Sequence, residues 1–218
     1  MKKIKNLILS PVLAPVVFLI GVILSLALWY ELSYHGKEAL QKTLQTKAEL
    51  TRNDIQKSLE ANILTLKRMA NRWEARNGTP KQEWHDDARN YVADTPGLTT
   101  VEWVDETYHV RWIEPLEGNE KAQGLYIAFE EERKKVLEGA SERHKVTLTP
   151  PLDLVQGYKA FLVYLPVYTN NQFGGFIIGI YDIKKTLSHY LGDLFSEEYH
   201  IELFIDEKLA FQNFDKAI

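Results

Sequence analysis

The chain has 218 residues, 45% of them apolar and 26% charged, with a formal net charge of −4. That composition supports a buried core and excludes a disordered tail, while the acidic balance lacks the basic face a nucleic-acid partner needs. No cysteine occurs, so disulfides, thiolate metal ligands and a cysteine nucleophile are excluded.

Residues 1–30 hold Lys2, Lys3 and Lys5 and no acid, and from Leu7 to Tyr30 no charged residue occurs. As a helix that run is roughly 36 Å long, enough to cross a bilayer with some tilt. Pro11 and Pro15 fall in its first turns, where proline is tolerated. Trp29 and Tyr30 close it as interfacial aromatics, and the lysines before it predict a cytoplasmic N-terminus with residue 31 onward outside. Ser25-Leu26-Ala27 offers a signal-peptidase match, but a signal peptide's apolar core is shorter than this run. Either reading exports the rest of the chain.

Residues 31–76 contain no proline and one glycine, Gly36. Leu40, Leu44, Ala48, Thr51, Ile55, Leu59, Asn62, Leu66, Ala70 and Trp73 recur in steps of four, four and three. That eleven-residue period predicts a long helix with a straight or slightly right-handed pairing seam. Its lower part is expected to pair with a second copy and its upper part, Leu66 to Trp73, to pack under a folded head. Asn77-Gly78-Thr79-Pro80 stops it.

The head opens with a short helix at 82–91 and a Thr95-Pro96-Gly97 turn. The period then changes to two, giving strands at 98–104 and 108–114 joined at Asp105-Glu106. A helical stretch is expected over 118–140, with i,i+4 charge pairs on a solvated face. Strands follow at 144–149, 158–168 and 174–182, the last two joined at Asn170-Asn171. A helix at 183–195 and a hairpin of 199–205 with 209–212 complete the chain. The fold class is α+β: a transmembrane anchor (1–30), a stalk helix (31–76), a PAS-like antiparallel-sheet domain (77–182) and the incomplete start of a second, smaller PAS-like unit (183–218). Ending at Ile218 without a closed second sheet or a second span, the chain reads as a fragment.

Met69-Ala70-Asn71-Arg72-Trp73, Pro96-Gly97-Leu98 and Glu102-Trp103-Val104-Asp105 together resemble the bacterial CHASE domain. The likeness continues through Arg111-Trp112-Ile113-Glu114-Pro115, Gly118-Asn119-Glu120, the helix from Arg133 to Leu137, Thr147-Leu148-Thr149, Gln156-Gly157 and Phe161 to Val167, covering about residues 66–212 in order. The resemblance implies an extracytoplasmic ligand sensor, normally followed by a second span and a histidine kinase or diguanylate cyclase. Gly157-Tyr158 departs from the family's Gly-Gly, which bears on one pocket wall.

Enzymatic motifs are missing: no phosphate loop, no Gly-x-Ser-x-Gly elbow and no His-Glu-x-x-His pair. His85-Asp86-Asp87 reads as a solvated helix surface, since adjacent helical residues point apart. The expected site is a small-molecule pocket between sheet and covering loops, with Trp103, Arg111, Glu120, Thr149 and Tyr164 as its candidate contacts. Alternation places Arg111 with Ile113 on the face opposite Val110 and Trp112. Arg111 among aromatics suits a carboxylate or other anion; it equally suits an ion pair with Glu102 or Glu120. Trp103, Thr149 and Tyr164 also suit plain packing roles.

The chain is therefore expected to be a non-catalytic, cofactor-free, metal-free periplasmic input domain. It would be anchored in the inner membrane, homodimeric through its stalk, and sense an unknown small molecule. An envelope assembly protein using the helix as a spacer, or a chemoreceptor-type input domain, shares the same sequence features. A reporter enzyme that works only outside the cytoplasm, fused after Arg76, is expected to be active. Activity only of a cytoplasm-restricted reporter would reverse the orientation.

Overall fold

The computed structural model describes residues 13–154, 156–192, 200–205 and 208–213. The chain divides into two compact units, Met1–Asn53 and Asp54–Ile218. In the first, the described residues are all helical, part of α1 (Leu13–Ala75), which runs without interruption past Tyr30. Its apolar run reaches a mean hydropathy of 2.1 over eighteen residues, long and apolar enough to cross a membrane. Val16 to Tyr30 stand exposed, as do Leu40 and Leu44 further along.

The second unit is built on a mixed-order antiparallel sheet. Its strands are β1 (Leu98–Val104), β2 (Val110–Glu114), β3 (Thr147–Leu148), β4 (Leu152–Asp153), β5 (Lys159–Thr169) and β6 (Gln172–Asp182), in spatial order β2-β1-β6-β5-β3 with β4 also on β5. A separate hairpin, β7 (Glu202–Ile205) with β8 (Lys208–Gln212), follows. Strands β5 and β6 are buried on both faces, which is why their sequences read as continuous apolar runs rather than alternating ones. They are joined through Asn170 and Asn171, both left-handed (φ 51° and 61°), the backbone of a two-residue hairpin turn.

One face of the sheet carries Val101, Val163, Leu165, Val167, Ile177 and Tyr181 against Leu66, Met69, Ala70 and Trp73 of α1 and Trp84 and Ala88 of α2 (Lys81–Asp94). Gly179 lets the helix come this close, because a Cβ there would sit 2.5 Å from a Leu66 methyl. Trp73, Trp84, Trp103 and Trp112 interlock on this face, with ring centroids 4.5 Å apart for Trp103–Trp112 and 4.9 Å for Trp73–Trp103. Helix α1 ends after Ala75, where Asn77 turns left-handed and the Gly78 N–H closes on the Trp73 carbonyl at 2.8 Å. The opposite face carries Val104, Val110, Ile113, Leu162, Tyr164, Phe176, Ile178 and Ile180. Over it lie α3 (Glu131–Glu142), through Leu137 and Ala140, and the segment containing Ala122, Ile127 and Ala128.

Three expectations are corrected. The single helix over 118–140 is instead a 3-10 turn (Glu120–Ala122), an extended piece and then α3. The reason is backbone competition: Val110 donates to the Leu125 carbonyl, Gly124 to Val110 and Ile127 to Tyr108, so this segment pairs along β2 rather than with itself. Strand β4, hidden behind Pro150-Pro151, was not foreseen. The last helix, α4 (Ile183–Leu191), is capped by Asp182, whose side chain accepts from the Lys185 N–H at 3.0 Å; its expected continuation to Phe195 and the strand start at Tyr199 lie outside the described residues.

The third correction concerns Arg111. The β1–β2 register shifts between Trp103 and Val104, leaving Arg111 as the extra residue opposite that step. Val110 and Ile113 therefore share a face with Trp112 on the other, and Arg111 turns outward with its side chain 48% exposed. Its Nε donates to Asp105 Oδ2 at 2.5 Å, so its partner is neither Glu102 nor Glu120. Asp105 also accepts from the Thr107 N–H (2.9 Å), the Thr107 hydroxyl (2.7 Å) and the His109 N–H (3.0 Å). Burial alone would raise its carboxyl, but these hydrogen bonds outweigh burial and hold it below the ordinary Asp value.

Asp105, rather than Arg111, thus organises the turn. Asp105→Ala is expected to cost about 1–3 kcal/mol, because it strands turn N–H groups. Arg111→Ala is expected to cost less than about 1 kcal/mol, as for other half-exposed ion pairs. The Asp105 contribution is present above the unfolded carboxyl value and fades as pH falls through its lowered folded value. Chemical denaturation of the two variants near neutral and at acid pH checks both statements; equal losses would contradict them.

Candidate functional site

Paired residues of neighbouring strands share a face, so the sheet register fixes what stands beside what. Glu102 of β1 pairs with Ile178 of β6, and Ile178 pairs with Tyr164 of β5. The row alongside it is Thr100, Ile180 and Leu162. Ile178, Ile180, Leu162 and Tyr164 all belong to the face covered by α3. Glu102 and Tyr164 therefore flank Ile178 on that face, their backbones about 10 Å apart at two strand spacings.

This layer is apolar except for these groups, and the groups are buried. Glu102 is 4% exposed, Thr100 1% and Tyr164 0%. Desolvation pushes the Glu102 carboxyl up from 4.5 to about 7. The Tyr164 hydroxyl has no hydrogen-bond partner among the described residues and its pKa is pushed up to about 12, first by burial and then by Glu102 and Glu130, with Arg133 acting in the opposite sense. Thr100 Oγ1 is likewise buried and unpartnered. Arg133 of α3 is itself largely buried, its side chain 17% exposed. It lies 3.7 Å from Glu130 and over the Phe129 ring at 4.8 Å. Orphaned polar groups are rare in protein interiors; here two of them, the Thr100 and Tyr164 hydroxyls, share one layer with the buried Glu102 carboxyl, and Arg133 of α3, paired with Glu130, acts on it.

Of the residues singled out in the sequence, only Tyr164 lies there. Trp103 sits on the other face in the tryptophan cluster, and Arg111 is held in the β1–β2 turn. Glu120 is exposed; its carboxylate accepts from the Gly118 N–H at 3.0 Å, and backbone hydrogen bonding holds it below the usual Glu value. Thr149 Oγ1 accepts from the Leu162 N–H at 2.9 Å. It borders a separate cavity of about 400 Å³ lined by Ile55, Leu59, Phe161, Leu187 and Leu203, among others. The second cavity hydroxyl, Thr186, is committed to the Asp182 carbonyl at 2.7 Å. Tyr158, where the family pattern has glycine, joins Thr99 through their hydroxyls at 3.0 Å and so ties β5 to β1.

Sequence reasoning passed over Glu102 and Arg133 as site residues. The signal for Glu102 was present: an acid between Val101 and Trp103, two residues before Val104, in a strand with apolar residues on both faces. Arg133 opened one piece of the CHASE likeness but sat in the charge run 130–135, which reads as a solvated helix face.

A comparison with curated protein sequences finds no match. Among solved structures, the chain is similar to the ligand-binding domain of the Pseudomonas fluorescens chemoreceptor CtaA in complex with L-serine (19% identity, TM-score 0.56, covering 80% of this chain and 72% of that one). It is also similar to the ligand-binding domain of the Pseudomonas aeruginosa chemoreceptor PctB in complex with L-Gln (14% identity, TM-score 0.51, 74% and 64%). An extracellular ligand-binding receptor from Desulfohalobium retbaense matches at 17% identity and a TM-score of 0.46, over 63% of this chain and only 26% of that one. At these identities the likeness is one of fold. The CHASE domain model matches residues 60–213, spanning the sheet, both its covers and the final hairpin, and the chain belongs to the CHASE family of extracellular ligand-sensing domains.

Proposed function

We propose that this chain is the membrane-anchored input part of a signal-transduction receptor that binds a small molecule over the α3-covered face of its PAS-like sheet. The observation that carries the reading is the row Glu102–Ile178–Tyr164, where a buried carboxyl and a buried hydroxyl flank one apolar residue without a protein partner for the hydroxyl. The small-molecule ligands named for the structurally similar chemoreceptor domains support it. The apolar run of α1 serves as an inner-membrane anchor, with the N-terminus cytoplasmic and residues 31–218 outside, consistent with the lysines before it. The final hairpin begins a second, membrane-proximal unit, and the output is a histidine kinase, a diguanylate cyclase or a chemotaxis module.

Signalling needs a ligand that favours one of two arrangements. The exposed Leu40, Leu44 and Ala48 stripe offers a route: paired with a second copy, it gives the receptor a symmetric helix seam through which the head's state is passed on. Leu66 to Trp73, continuing the same helix, packs directly on the sheet.

Three measurements test this reading. Full-length chain purified in detergent from its native host, then denatured, is expected to release a small molecule seen by mass spectrometry. The same preparation of Tyr164→Ala is expected to lack it; equal release from both would remove this face as the site. For Glu102 the sign follows from its raised carboxyl: the folded state holds a proton that the unfolded state gives up. Its contribution is therefore complete below pH 4.5 and lost as pH rises through about 7. The rise from 4.5 to about 7 is worth a few kcal/mol, so wild type should lose stability on that order relative to Glu102→Gln as pH rises from about 4.5 to about 7. Parallel pH profiles would show that Glu102 is not desolvated. For the seam, single cysteines at Leu40 and Leu44 are expected to crosslink more than at Gln41 and Gln45, and equal yields would remove it.

A further inference from the structure

Resting on the sheet-face site proposed above, the arrangement also has a polarity. Glu102 stands at one end of the Ile178 row, on β1, and Thr100 stands one pleat away on the same strand and face. Tyr164 stands at the other end, on β5, its buried hydroxyl without a partner among the described residues; Arg133 of α3, largely buried and 3.7 Å from Glu130, acts on that hydroxyl in one sense and Glu130 in the other. The site thus has an acceptor end and a donor end, with the apolar Ile178 between them. A carboxyl buried without a protein cation is costly unless it stays protonated or meets a positive partner. An unpartnered hydroxyl on the strand under a largely buried guanidinium of α3 suits a ligand oxygen, above all a carboxylate, which accepts charge-assisted hydrogen bonds.

We infer that the site takes a small molecule carrying a cationic amine and, a few bonds away, a carboxylate: the amine sits at Glu102 and the carboxylate at Arg133 and Tyr164. Ile178 and its neighbours Ile180 and Phe176 then set the size of the connecting apolar part. Neutral sugars and amine-free acids leave the Glu102 end unpaired and are rejected for that reason, since specificity comes largely from buried polar groups left without partners. Binding also discharges a proton. The ammonium stabilises the carboxylate, so the proton that Glu102 holds in the empty site goes to solvent as the ligand enters.

The probes are the standard L-amino acids, putrescine, cadaverine, succinate, malate and glucose, each added separately to the full-length chain in detergent while its melting temperature is followed. Some of the zwitterions are expected to raise the melting temperature, and succinate, malate and glucose to leave it unchanged. Glu102→Gln should lower the affinity for every amine at least tenfold, whereas Arg133→Gln should weaken zwitterions and spare the diamines. The intrinsic melting temperature of each variant without probe identifies any that is simply unfolded, and Tyr164→Phe supplies a milder replacement. Calorimetry in buffers of different ionisation enthalpy near pH 7 should show proton release on zwitterion binding that is absent in Glu102→Gln. Stabilisation by amine-free compounds, or by no zwitterion at all, overturns the ligand class. If an amine-free compound binds and Tyr164→Phe weakens it, the sheet-face site stands without that class. If the Glu102 and Tyr164 variants bind every active probe as wild type does, the site itself falls.

Discussion

Strands β5 and β6 present apolar side chains to both sides, and this sets the terms for everything around them. A sheet that is apolar on both faces must be covered on both. One cover is the end of the long helix with α2; the other is α3 with the segment before it. The first is tight. Gly179 removes the side chain that would keep Leu66 away; within the sheet Gly175, at φ 106°, removes one that would meet the Val104 carbonyl of β1 at 1.9 Å. Four tryptophans fill the remaining space between helices and strands.

The two covers differ in chemistry. On the helix side ion pairs lie at the rim, Arg72 with Asp87 at 2.5 Å, His85 with Glu114 at 2.9 Å and Arg89 with the same Glu114 at 3.2 Å, while the indole nitrogens of Trp73, Trp84 and Trp103 and the Tyr181 hydroxyl are buried without a partner among the described residues. On the α3 side a carboxyl and two hydroxyls lie inside the layer, and the hydroxyls have no partner in the protein. Buried polar groups weaken a core unless something satisfies them. Both faces thus hold buried polar atoms without a protein partner among the described residues, and the α3 side is set apart by its buried carboxyl, Glu102.

The two faces also meet back to back on one strand. Ile178, in the middle of the candidate site, is followed by Gly179, which faces Leu66 of the long helix through the same strand. Strand β6 therefore carries the ligand-facing residue and the helix-facing residue next to each other. A displacement of β6 would therefore bear on Leu66 as well as on β1 and β5, because close-packed interfaces transmit displacement rather than absorb it.

The sequence by itself determined the elements whose signal is local. The charge-free run to Tyr30, the eleven-residue period of the stalk, the Asn-Gly stop, the alternation of β1, the Asn-Asn hairpin and the ordered likeness to the CHASE domain were all legible in it, because each depends on neighbours within a few residues. Tertiary structure decided the rest. The helix expected over 118–140 gave way because β2 offered its backbone better partners than a helix would, a choice invisible without the strand beside it. Arg111 turned outward because a one-residue register shift between β1 and β2 inverts which face a side chain takes. Glu102 became the central polar group only when Ile178 and Tyr164 were brought alongside from strands some seventy-six and sixty-two positions later, since burial belongs to the assembled sheet and not to any single strand.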